Sequence, residues 1–99
     1  KKITFILDTK YTKDLINLAS KSDILVCEST FLSDLKQKAS QFKHLTAGQA
    51  AYIAKKSKSK KLILTHFSQR YKDTNKIQQE AKKIFKNTIC ANDFLKINL

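Results

Sequence analysis

The sequence predicts an α/β fold with a mostly parallel or mixed sheet and flanking helices. Two observations carry this. Three short apolar runs each end in a polar residue: Lys2-Ile3-Thr4-Phe5-Ile6-Leu7 runs into Asp8, Asp23-Ile24-Leu25-Val26-Cys27 into Glu28, and Lys61-Leu62-Ile63-Leu64-Thr65 into His66. Stretches with apolar residues at helical spacing separate the runs, as expected of strands joined by crossover helices. In such sheets the carboxyl ends of the strands share one edge, and ligands bind there. Asp8, Glu28 and His66 are therefore expected to face one crevice.

Each element follows from a local signal. The first strand is expected over residues 2–7. A helix begins near Thr12, with Asp14 in its first turn, where negative charge suits the helix dipole; Leu15, Ile16, Leu18 and Ala19 form its apolar face. The second strand covers 24–28. A short helix over 33–41 has Ser33 as a cap, with Leu35 and Ala39 inward. Thr46-Ala47-Gly48-Gln49 matches a capping box, and the helix it starts places Ala47, Ala50, Ala51 and Ala54 on one face, small enough for close approach to a sheet. A basic turn over 55–61 ends it. The third strand covers 62–65. A loop over 66–73 precedes a helix over 74–85 with Ile77, Ala81, Ile84 and Phe85 inward. Two closing strands, 88–91 and 94–98, flank a turn at Asn92-Asp93.

With 99 residues the chain is one domain at most. It begins with Lys1 and contains no methionine, so it reads as a piece of a longer protein. Twenty Lys and Arg against eight acidic residues give a formal net charge of +12, which favours polyanionic partners, nucleic acid first. Abundant Lys, Ile and Asn with one Gly and no Pro also fit the bias of AT-rich coding. The 55–61 run reads either as a solvated turn or as a contact to RNA backbone. Cys27 and Cys90 form no C-x-x-C pair and suit buried thiols in a reducing compartment, the cytoplasm. No apolar run approaches the ~20 residues of a membrane helix.

The chemistry-bearing residues are few. Asp8, at the mouth of a strand, offers two oxygens and can bridge metal ions; its alternative role is a turn cap. Imidazole is a natural zinc ligand, which suits His66 unless it merely hydrogen-bonds at a strand end. His44 stands two residues before the Thr46 cap, where Glu28 is the available carboxylate to fix its tautomer. Such a pair can donate a proton to a leaving alkoxide; a plain surface loop is the alternative. Ser68 and Arg70, the only arginine, follow His66 and suit phosphate recognition, against a solvated loop.

In this order the motifs resemble ribonuclease Z, the tRNA 3′-processing endonuclease family of the metallo-β-lactamase fold. Leu7-Asp8-Thr9 stands where the family has Gly-Asp-Thr, and Cys27-Glu28-Ser29-Thr30-Phe31 resembles its His-Glu-Ala-Thr-Phe. His44-Leu45-Thr46 resembles His-Ser-Thr, and residues 62–71 resemble the final histidine motif. Ala91-Asn92-Asp93-Phe94-Leu95 resembles the closing Ala-x-Asp strand. The chain departs from the family at Leu7, Cys27 and Leu45.

The resemblance implies the C-terminal half of a metallo-β-lactamase-type αββα sandwich, with residues 1–99 forming the C-terminal part of the domain. It implies a two-zinc centre with Asp8 bridging and His66 terminal. His44 would be the proton donor and Glu28 its orienting partner. It implies removal of the 3′ trailer from precursor tRNA by a protein that is commonly a homodimer. The family's His-x-His-x-Asp-His motif does not occur here. The chain alone is therefore expected to bind zinc poorly and to be inactive, with an apolar sheet face exposed. Two other expectations compete: another metallo-β-lactamase-fold phosphodiesterase, and a basic, non-catalytic α/β module that binds RNA.

Overall fold

The computed structural model describes residues 1–91. The element order is β1 (Ile3–Ile6), α1 (Asp14–Leu18), β2 (Ile24–Glu28), a 3-10 turn (Ser33–Leu35), α2 (Lys36–Gln41), α3 (Ala47–Lys56), β3 (Leu62–Thr65), α4 (Asn75–Ile84) and β4 (Thr88–Cys90). The strands form one sheet in the order β1-β2-β3-β4, and every pairing is parallel. Each crossover carries a helix, and each steps the same way along the sheet. Right-handed crossovers of this kind put all the helices on one face.

Strand register shows which face that is. Thr4 pairs with Leu25, Ile6 with Cys27, Leu25 with Leu62, and Cys27 with Leu64. Ile6, Leu25, Cys27, Leu62 and Leu64 share one buried cluster with Ala47, Ala50, Ala51 and Ala54 of α3 and Ile77 and Ala81 of α4. The alanine face of α3 is wholly buried, so the small side chains let that helix lie close against the sheet.

Opposite side chains of β1 project the other way. On that face Ile3, Phe5 and Leu7 remain 44%, 64% and 43% exposed. The apolar face expected to be exposed is bare only along β1: on the same face, by register, Ile24 of β2 and Ile63 of β3 are buried.

The capping box at Thr46 forms as expected. The Gln49 N–H donates to Thr46 Oγ1 (3.1 Å), and the Thr46 N–H donates to Gln49 Oε1 (3.0 Å). Leu18 and Ile84, expected on inward apolar faces, are exposed, and three further expectations need correction. The first helix starts at Asp14 and runs only to Leu18. The helix expected over 33–41 is split, because Leu35 leaves helical geometry and a 3-10 turn precedes α2. Ser33 does not cap its own helix; its hydroxyl donates to Glu80 Oε2 of α4 (2.9 Å). The 55–61 run is a corner as well as a basic surface. Ser57 and Ser59 are buried and hydrogen-bonded to each other (2.7 Å), while Lys55, Lys56, Lys58 and Lys60 are exposed. That corner lies before β3, at the sheet edge opposite the strands' carboxyl ends. Asn92, Asp93 and the strand expected over 94–98 lie outside the described residues.

Candidate active site

Glu28 ends β2 and is completely buried. Its carboxylate gathers donors from three directions. Oε1 accepts the backbone N–H of Asp8, and that of Thr9 at 3.4 Å. Oε2 accepts the Thr30 hydroxyl (2.8 Å), the Leu45 N–H (3.3 Å) and His44 Nδ1 (2.9 Å). Burying a carboxylate is costly unless its lone pairs are satisfied. Here that requirement ties the loop after β1 to the loop before α3. Because a carboxylate can only accept, Nδ1 of His44 carries the shared hydrogen. Nε2 is left as the free nitrogen of a ring 30% exposed.

Asp8 and His66 flank this hub. Ile6 pairs with Cys27 and Glu28 with Thr65. Continuing both registers puts Asp8 and His66 one level beyond Glu28, on either side of the β2 path. Adjacent strands lie roughly 4.8 Å apart, so the ends of β1 and β3 that lead into Asp8 and His66 stand roughly 10 Å from each other. Both residues are exposed. Both also adopt left-handed backbone, with φ of 56° and 61°, which is sparsely populated for residues with a side chain. Leu7, in the place of the family's glycine, needs no such geometry; the left-handed residue is Asp8.

The 66–71 loop is fastened to the segment after β2. The Ser68 N–H donates to the Thr30 carbonyl (3.0 Å), and the Leu32 N–H donates to the Tyr71 hydroxyl (2.9 Å). Ser68 Oγ accepts the Arg70 N–H (3.3 Å), so it shapes its own loop. Arg70 lies over the ring of Phe31, 5.7 Å from its centroid. Phe31 also meets the His44 ring edge-on at 6.1 Å. The sequence singled out Asp8, Glu28, His44, His66, Ser68 and Arg70 as candidates. It missed Thr30 as a Glu28 donor, Tyr71 as a fastener and Phe31 as the common neighbour of His44 and Arg70. The Thr30-Phe31 pair next to Glu28 was the available signal.

Among the described residues no group of three or more His, Cys, Asp or Glu side chains is placed to hold a metal ion. Asp8 and His66 are two donors, fewer than the four of an ordinary zinc site. Cys27 adds none. Burial, with the neighbouring Glu28 charge second, pushes its thiol far above the ordinary range, and a buried neutral thiol is a poor ligand. These residues do not make a metal site by themselves.

No family model matches the chain. It is 46% identical over 99 residues to the ribonuclease Z of Protochlamydia amoebophila (strain UWE25), covering 95% of this chain and 32% of that protein. It is 48% identical over 99 residues to the ribonuclease Z of Nitrosopumilus maritimus (strain SCM1), covering 100% of this chain and 33% of that protein. The crystal structure of human tRNase Z, short form, superposes with a TM-score of 0.74 at 31% identity, covering 97% of this chain and 32% of that one. The metallo-β-lactamase fold protein YhfI from Bacillus subtilis superposes with a TM-score of 0.81 at 24% identity, covering 89% of this chain and 35% of that one. The chain spans about a third of the length of the curated relatives it matches. The resemblance to ribonuclease Z read from the motifs is borne out, and the fold is that of the corresponding part of metallo-β-lactamase-fold proteins.

Proposed function

We propose that this chain is the C-terminal part of a metal-dependent endoribonuclease of ribonuclease Z type, which removes the 3′ trailer from precursor tRNA. The observation that carries the reading is the Glu28–His44 pair. A buried carboxylate holds Nδ1–H of the imidazole at 2.9 Å and leaves Nε2 on the surface, at the sheet edge where Asp8 and His66 also stand. In the protonated ring Nε2–H can give its proton to the oxygen that leaves when a phosphodiester is cut. Glu28 stabilises the cation before transfer and fixes the ring afterwards. The same carboxylate fixes the Asp8 loop, so donor and candidate ligand are positioned by one group. Asp8 and His66 would serve a zinc centre whose remaining ligands lie outside this chain.

The full protein is read as a cytoplasmic homodimer. Two free cysteines suit a reducing compartment, and dimerisation follows from the resemblance alone. Among the described residues no helix is long and apolar enough to cross a membrane.

The test is cleavage of precursor tRNA by the full-length protein. His44→Ala and Glu28→Gln lower kcat about 10²–10⁴-fold, the span of a lost general acid, and His66→Ala abolishes both turnover and full zinc occupancy. The isolated chain binds no stoichiometric zinc and does not turn over. Intact cleavage by His66→Ala would instead favour a basic module that binds RNA without chemistry, a reading to which the +12 charge lends weight. Turnover confined to small phosphodiesters would favour another hydrolase of the same fold.

A further inference from the structure

Phe31 collects positive charge. Its ring is 6% exposed, and Lys38 Nζ, from the last turn of α2, lies over it at 5.9 Å from the centroid. The Arg70 guanidinium lies over it at 5.7 Å. Both distances are within the range in which the ring quadrupole attracts a cation. The two charges are therefore at most about 12 Å apart and share one buried ring. Among the described residues neither forms an ion pair; the pairs present join His44 to Glu28 and Lys60 to Asp23. Asp34 lines the same cleft as Lys38 without reaching an ammonium group. That cleft, of about 650 Å³, also includes Gln41 and the exposed Phe42 in its wall. Arg70 borders a second cleft of about 330 Å³ with Tyr71, Lys72, Asp73 and Lys76.

Neither cation is neutralised by a carboxylate among the described residues, so both are available to an anion such as phosphate. The same ring touches His44, so the anion would lie beside the proposed proton donor. We propose that Lys38 and Arg70, seated together on Phe31, form a phosphate clamp that holds RNA backbone beside His44, with Lys38 the half contributed by α2. The placement beside a reacting group rests on the proposed function; the clamp itself rests on the charges and the ring. Phe31 is the positioning residue, since its face holds both cations in place without touching RNA.

The experiment measures binding of precursor tRNA and of a short oligouridylate to the full-length protein in EDTA, across a range of salt concentrations. Each lost phosphate contact reduces the slope of log K against log salt by roughly 0.7–0.9. Lys38→Gln and Arg70→Gln each produce that reduction, the double variant about twice as much, and Phe31→Leu weakens binding with all charges retained. Lys83→Gln, at the exposed end of α4, leaves the slope unchanged. In cleavage assays Lys38→Gln raises KM for precursor tRNA several-fold with kcat within twofold. Equal slope changes for Lys38→Gln and Lys83→Gln would overturn the clamp, because the charge would then act diffusely. If the wild type fails to cleave precursor tRNA while Lys38→Gln still lowers the oligouridylate slope, the clamp stands and the proposed function falls.

Discussion

Ser29 follows Glu28 at the end of β2, fully buried, and its hydroxyl has no hydrogen-bond partner among the described residues. An unsatisfied buried hydroxyl costs roughly 1–3 kcal/mol. Ser29→Ala removes that cost and leaves only a very small void, so it should raise unfolding stability by about 1 kcal/mol in urea titration. A loss of stability would mean that the hydroxyl is satisfied in solution. Asp23 is the opposite case, a half-buried acid that is well paired. The Lys2 N–H donates to it at 2.7 Å and the Lys60 ammonium lies 3.2 Å away, together holding its carboxyl below the ordinary 3.8. A depressed folded value means that its contribution is present above pH 3.8 and is lost as pH falls through the folded value. Asp23→Asn should therefore flatten the acid limb of the stability profile and leave its shape near neutrality unchanged. An identical acid limb in the variant would show that the pairing is absent in solution.

Glu80 joins three elements that the chain order separates. From α4 its carboxylate accepts the Ser33 N–H (3.0 Å), the Ser33 hydroxyl (2.9 Å) and the Gly48 N–H in the first turn of α3 (2.8 Å). A negative group at a helix N-terminus is favourable, and this one also holds the 3-10 turn against α3. Gly48 is required by that contact, because a Cβ there would stand 2.7 Å from Ser33 Oγ. Gly48→Ala gains up to about 1 kcal/mol of helix propensity but displaces the hydroxyl and weakens the clamp. A net loss of about 1 kcal/mol is expected. In a Ser33→Ala background the obstruction disappears, so Gly48→Ala becomes neutral or stabilising. A double-mutant cycle reads this coupling, and additive effects would refute it. The clamp also marks the limit of what the sequence disclosed. Strand ends were legible because Asp8, Glu28 and His66 interrupt apolar runs, and the α3 start was legible because a capping box is local. Ser33 was misread as a local cap because its partner is 47 positions away. The Glu28–His44 pair was legible because Glu28, at a strand end, was the available carboxylate for the histidine before the Thr46 cap. The seat of Lys38 and Arg70 on Phe31 was not, since α2 and the 66–71 loop meet only in three dimensions.

On the scale of the whole molecule, α3 and α4 pack against one face of a parallel sheet, whereas parallel sheets are ordinarily covered on both; on the other face Ile24 and Ile63 are buried and the β1 edge is not. Ile3, Phe5 and Leu7 make the other face of β1 apolar and exposed. The +12 charge opposes association of two copies at low salt, but at 0.1 M the Debye length is about 10 Å and that repulsion is largely screened. Self-association of this chain should therefore rise with salt, the reverse of what ion-pair contacts would give. Burying a Phe side chain is worth roughly 2 kcal/mol, or more than tenfold in an association constant. Phe5→Lys should thus weaken self-association at least tenfold in sedimentation at 0.5 M salt, while folding stability changes by only about 0.5 kcal/mol because Phe5 makes little use of its surface within the chain. Lys10→Gln, also exposed but off this face, serves as the control. In the full-length protein the same Phe5→Lys change should lower stability by about 2–4 kcal/mol if a second layer covers the sheet. A chain that stays monomeric across the salt range, together with a full-length protein indifferent to Phe5→Lys, would mean that this apolar face packs against nothing.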